Sequence, residues 1–490
     1  MSSTLIIGLI IGYFCILILI SYFTSKNTDS ETFFLANRQS PWYVVAFGMI
    51  GTSLSGVTFV SIPGMVEVAQ FSYLQLVLGY LLGYFVIATV LMPLYYRLNL
   101  VSIYTYLEQR FGYWSYKTGA AFFLLSRTLG ASIRLFLVAG VLQLAVFDDL
   151  GIPFAVSVII SITLIWVYTF RGGMKTIIWT DTFQTTAMLI AVVTTIWLIS
   201  DELNMGFQGM IESVQNSQYS QVFFWDVKDS KYFLKQFFSG AFIAIVMTGL
   251  DQDMMQKNLS CKNIGEAQKN MFWFSIILVF VNLLFLTLGA LLYIYANSKG
   301  IDLPAKGDDV FPFLALNHFT PFLGIVFILG IIAITYASAD SALTALTTSF
   351  CVDFLNFSER SEHERVRLRY IVHFSISVVM VLVIIAFHKL NSESVITAVF
   401  KVAGYTYGPL LGLYTFGLYT KRAVRDKYVP AICIISPILT YIISANSVEW
   451  LYGYEFGFEV LILNGLLTLL GLFAISSGKT DELELAQEQA

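Results

Sequence analysis

Hydroxyl and carboxylate side chains recur inside one long apolar run: Thr335, Ser338, Asp340, Ser341, Thr344, Thr347 and Thr348. Read as a helix, Ser338, Ser341 and Thr348 share one face, and Asp340, Thr344 and Thr347 follow on the adjoining face at i, i+4 and i+7. An oxygen-rich face suits a hard cation such as sodium, for the reason that calcium and magnesium take oxygen ligands. Asp340 would supply the charge that a dehydrated ion needs. The structural alternative is an ion pair between Asp340 and a basic residue such as Arg134.

A second apolar run, 42–66, is interrupted at its middle by Gly48-Met49-Ile50-Gly51-Thr52-Ser53-Leu54-Ser55-Gly56-Val57-Thr58, with Pro63-Gly64 beyond. Such a segment weakens a continuous helix. Unwound backbone is tolerated at mid-membrane where it lines a cavity, and there its freed carbonyls can bind a cation and its freed N–H groups a solute. Close helix packing through small residues is the other reading. A third place is Asp181 with Gln184, shortly after Arg171-Gly172-Gly173-Met174-Lys175. By itself Asp181 reads as a carboxylate at a helix start.

These residues need a membrane-embedded scaffold. Of 490 residues 57% are hydrophobic and 12% charged, against about 25% charged in soluble chains. Thirteen apolar runs are long enough for helical spans, at 4–23, 42–66, 72–97, 119–147, 152–170, 176–200, 233–255, 270–296, 321–355, 367–388, 392–420, 428–446 and 456–476. The first has neither a basic flank nor a cleavage site and is expected to remain as a span. Nineteen basic residues, among them Lys26, Lys257 and Arg365, fall in connections on one side and six on the other. The positive-inside rule then places the N-terminus outside and the acidic C-terminal tail in the cytoplasm. The net charge of −4 offers no basic surface for nucleic acid. The four cysteines stand singly and read as small buried hydrophobes. No metalloprotease motif, phosphate-binding loop or paired His and carboxylate points to an enzyme. The outer loops 201–232 and 297–320 read either as ordered caps or as plain connectors.

Several segments, in order, resemble the sodium/solute symporter family of sodium-coupled glucose, proline, pantothenate and sialic acid transporters. Tyr106-Leu107-Glu108-Gln109-Arg110-Phe111, Gly172-Gly173 followed by Trp179-Thr180-Asp181-Thr182-Phe183-Gln184, Asp251-Gln252 with Gln256 and Leu259, and Gly408-Pro409 carry the likeness. The resemblance implies an all-α integral membrane protein with a LeuT-type core of two inverted five-helix repeats, 42–200 and 233–421. One helix and its loop, 1–41, precede the core, an outer loop, 201–232, divides it, and two helices with a tail, 422–490, follow. It further implies that the first helix of each repeat is broken, in the second within Ser239 to Gly249.

By the same resemblance, a main sodium site maps to Gly51, Leu54, Ile334, Ala337 and Ser338, where Ala337 stands in place of the family's usual Ser. A second sodium site maps to Asp181, Asp340 and Ser341. Candidate solute contacts are Ser53, Ser55, Thr58, Gln75, Arg134 and Lys401, and Arg127 is a further basic residue nearby; Lys401 alternatively snorkels to the outer surface. The implied function is inward symport of a small organic solute with sodium in the plasma (inner) membrane, by a monomer embedded in the lipid bilayer. A transporter-like sensor and a proton-coupled or facilitative carrier are the alternatives.

Overall fold

In the computed structural model, which describes residues 3–24, 30–355, 357, 360–390 and 395–479, the apolar runs become helices. Lys26 and the tail beyond 479 lie outside the described residues, as do the side chains of Arg171 and Gly172. The helices are α1 (Ser3–Thr24), α2 (Trp42–Ser53), α3 (Gly56–Ala69), α4 (Tyr73–Arg97), α5 (Tyr113–Phe147), α6 (Phe154–Thr169) and α7 (Gly173–Glu202). After an outer loop come α8 (Phe233–Gly249), α9 (Gln252–Leu259), α10 (Ile264–Lys299), α11 (Gly307–Asn317), α12 (Pro321–Phe354), α13 (Glu362–Leu390), α14 (Val395–Thr406), α15 (Gly408–Tyr419), α16 (Asp426–Ala445) and α17 (Val460–Ala474). Among the described residues eight helices are long and apolar enough to cross a bilayer, or up to ten when each bent pair counts as one span; three shorter apolar helices are α6, α14 and α17.

Two breaks organise the interior. Between α2 and α3 the axis turns by 57°, because Leu54 and Ser55 leave the helical region for extended backbone. Gly56 restarts the helix against α5 and α12, where an added Cβ would meet the Thr335 hydroxyl and come within 3.0 Å of Val138 Cγ2. The second break bends α8 from α9 by 65°. It falls at Leu250–Asp251, just beyond the expected window ending at Gly249. The reason is a cap: Asp251 accepts the N–H groups of Asp253 and Met254 at 2.9 and 3.4 Å, which starts a new helix there.

Close helix contact holds this arrangement. Pairs α12 with α6–α7, and α4 with α8, are the most extensive. In the latter, Gly79 lies against the Phe237 carbonyl and Gly240 against that of Leu76, the small-residue approach by which helices pack without a hydrophobic driving force. The loop between α7 and α8 is tied down by Gln75, whose amide donates to Lys231 O at 2.9 Å and accepts Phe224 N–H at 3.2 Å. At the other end Arg110 donates to the C-terminal carbonyls of α15, Gly417 O at 3.2 Å and Thr420 O at 2.7 Å, the favourable place for a cation at a helix end.

Candidate cation and solute site

Each break releases backbone groups, since a helix end leaves its last carbonyls and first N–H groups without intrahelical partners. At the second break the carbonyls are taken up: Tyr95 donates to Gly249 O at 2.8 Å and Tyr104 to Leu250 O at 3.0 Å. At the first break no side chain among the described residues donates to the carbonyls of Gly51, Thr52, Ser53 or Leu54. Ile334, Ala337 and Ser338 lie on α12, which packs against α2 and α3, and all three are buried. Ser338 spends its own proton on Thr335 O at 2.9 Å, which leaves its oxygen lone pairs available. Two further buried hydroxyls, Thr185 beside Gly51 and Thr335 beside Gly56, have no partner among the described residues. An oxygen-rich, donor-poor environment of this kind fits a small hard cation.

The first break also lines a cavity of about 70 Å³. Thr52, Ser53, Leu54, Ser55 and Thr58 form one wall, Tyr73, Tyr80 and Tyr84 of α4 another, and Arg127 and Arg134 of α5 face it. The two arginines differ in commitment. Arg127 is ion-paired with Asp253, the second residue of α9, and lies 4.0 Å from Asp251; Asp251 in turn accepts a hydrogen bond from Tyr407. Arg134 is 9% exposed and forms neither an ion pair nor a hydrogen bond among the described residues. The first turn of α3, with its free N–H groups, opens on the same cavity and favours negative charge there.

Gln75 and Lys401 do not line this cavity. Gln75 is fully buried but spends its amide on the outer loop, and Lys401 is exposed on α14. The proposed Asp340–Arg134 pair is not formed either. Asp340 accepts from Tyr168 Oη at 2.8 Å and from the Ser341 N–H at 2.5 Å.

At the residues expected to form a second cation pocket, the structure places a basic side chain. Lys257, counted as a loop cation from sequence, is 1% exposed, and its ammonium is ion-paired with Asp181 and donates to Thr52 and, at 2.7 Å, to Ser341. Asp181 and Ser341 therefore surround a charged side chain of the protein itself. Asp340 belongs to the same buried cluster through its neighbour Ser341. Sequence reasoning missed Lys257 because it lies just past the end of the apolar run 233–255 and so reads as part of a connection. Its position beside the capped break was the available signal.

The family model for the sodium:solute symporter family matches residues 33–426. The chain belongs to the sodium:solute symporter family. It is accordingly a multi-pass membrane transporter that couples a small solute to sodium, and not an enzyme. Among its relatives, the sodium/sialic acid symporter NanT of Aliivibrio fischeri is 24% identical over 96% of this chain and 93% of its own. The sodium/sialic acid symporter SiaT of Proteus mirabilis is 22% identical, covering 87% of each. The human sodium-coupled monocarboxylate transporter 2 is 24% identical over 80% of this chain and 64% of its own. The fold matches that of a sodium-coupled sialic acid symporter in its substrate-bound outward-open state, with a TM-score of 0.82, 20% identity and coverage of 96% and 98%. It also matches Mhp1, a nucleobase-cation-symport-1 family transporter, at a TM-score of 0.53 and 13% identity, over 90% of this chain and 93% of that one.

Proposed function

We propose that this symporter imports a small organic carboxylate with sodium, and that Arg134 receives the carboxylate group. The observation that carries this is a buried guanidinium that faces the cavity of the first break and forms no ion pair among the described residues. Burying an unpaired cation is costly, and a planar fork of donors matches a carboxylate bidentately. The hydroxyls of Ser53, Ser55 and Thr58, together with the free N–H groups of α3, complete the polar wall. Sialic acids and monocarboxylates, the solutes named for the relatives above, share the carboxylate and differ in the remainder.

The sodium ion binds in this reading between the carbonyls of Gly51 and Leu54 and the Ile334–Ala337–Ser338 segment, and the unspent Thr185 hydroxyl stands close to Gly51 where Ala337 offers none. The chain works as a monomer of thirteen spans with two inverted repeats, 42–200 and 233–421, which rock about this centre. The N-terminus lies outside and the C-terminus in the cytoplasm.

The test is uptake into proteoliposomes under a sodium gradient, using labelled sialic acid and short monocarboxylates against their amide analogues. Truncating one partner of a buried charge pair costs about 2–5 kcal/mol, so Arg134→Gln should raise KM for the acid at least about thirty-fold. Equal transport of acid and amide, or an unchanged KM, sinks the carboxylate reading.

A further inference from the structure

The feature left over by symport at the first break is the buried amine of Lys257. Its placement is built in. Gln252 donates to Val101 O at 2.7 Å and accepts the Ile103 N–H at 2.9 Å, while Gln256 donates to Phe34 O at 2.6 Å and to the Thr348 hydroxyl at 3.1 Å. Those bonds fix α9 along its length and in rotation. The next residue, about 100° further round the helix, then points at the junction of α2, α7 and α12.

An ammonium has three donors and no acceptor. Here the three go to Asp181 Oδ2, Thr52 Oγ1 and Ser341 Oγ, and Thr52 also donates to Asp181 at 3.0 Å. Asp181 and Ser341, with Asp340 beside them, are the residues that the family resemblance offers to a second sodium ion. The carboxylate of Asp181 is already balanced by one tethered positive charge. A dehydrated sodium among the same oxygens would meet that ammonium at contact distance, where like charges repel strongly in a low dielectric.

We propose that Lys257 is a resident cation that permanently fills the second cation pocket, so that this chain binds and carries one sodium ion, at the first break, rather than two. A tethered charge stays behind in every cycle, and the number of charges moved per solute falls by one. If the solute is the monocarboxylate proposed above, one sodium and one carboxylate cross together with no net charge; the ion count itself does not depend on that reading.

The count is measurable without knowing the solute. Equilibrium binding of radioactive sodium to purified protein in detergent should saturate at one ion per chain for the wild type. Lys257→Ala empties the pocket and leaves Asp181 unbalanced, so its count should rise to two, and Lys257→Ala/Asp181→Asn should return it to one. Two ions per wild-type chain overturn the proposal whatever the variants do. A count of one in a Lys257→Ala protein that elutes as the wild type on size exclusion overturns it as well. No saturable sodium binding to the wild type also overturns it, and places the failure at the first break, whereas loss of carboxylate preference with one bound sodium faults only the solute reading.

Discussion

The ion pair of Arg127 with Asp253 allows a quantitative test of how the second broken helix is held. Asp253 is fully buried and Arg127 is 4% exposed, so neither charge can turn to water. Breaking a buried pair by removing one partner costs about 3–5 kcal/mol. Asp251 lies 4.0 Å from the same guanidinium and offsets part of that loss, since two charges at that distance attract by about 4 kcal/mol at an effective dielectric of 20. Asp253→Asn should therefore fall near the lower end, about 3 kcal/mol, or a factor on the order of one hundred in the folding equilibrium constant. Replacing both charges by apolar groups, Arg127→Met with Asp253→Leu, should recover most of it, because no uncompensated charge remains. A maleimide dye that fluoresces on reaction with cysteine reads this out: Cys261, Cys351 and Cys433 are buried and react only on unfolding, and exposed Cys15 is first changed to Ser. If Asp253→Asn melts with the wild type, or the double variant melts no higher than the single one, the reasoning fails.

Asp340→Asn should fold and insert, because Arg134 is not its partner and the Tyr168 hydroxyl can still donate to an amide oxygen. Losing a negative charge two residues from Ser338 should lower apparent sodium affinity about tenfold, about 1.4 kcal/mol, as measured by the sodium dependence of uptake; unchanged affinity would confine Asp340 to its bonds with Tyr168 and Ser341. Gln75→Ala should leave KM for solute unchanged while protease cleavage within 216–232 accelerates, since its amide holds that loop; a raised KM with an unaltered cleavage rate would return Gln75 to the solute site.

Much of this protein was legible as pattern. The long apolar runs, the interruption at Gly51 to Thr58 and the ordered segments around Arg110, Asp181, Asp251 and Gly408 are local properties of sequence, and among the described residues they have counterparts as helix, break or helix cap. Apolar length decides whether a segment becomes a helix in a bilayer, and glycine with hydroxyl residues decides where it weakens, so neither needs knowledge of distant partners. The second break lay just past its expected window because the capping strength of Asp251 overrode the small residues preceding it.

Partnership was the part that only the tertiary structure decided. From sequence, Arg127 and Arg134 are two similar cations about two turns apart on one helix, and Lys257 is one more charge in a polar stretch. Folding brings Asp253 to Arg127 and leaves Arg134 without an ion pair among the described residues, and it turns Lys257 inward onto Asp181, 76 residues away in the chain. It also spends Gln75 on a loop and carries Lys401 to the surface. A buried charge is defined by what it meets, and those meetings are set by helices packing across the whole core. Composition and spacing thus determined that a polar centre exists at the first break, whereas long-range packing determined which of its charges are neutralised and which remain free to bind.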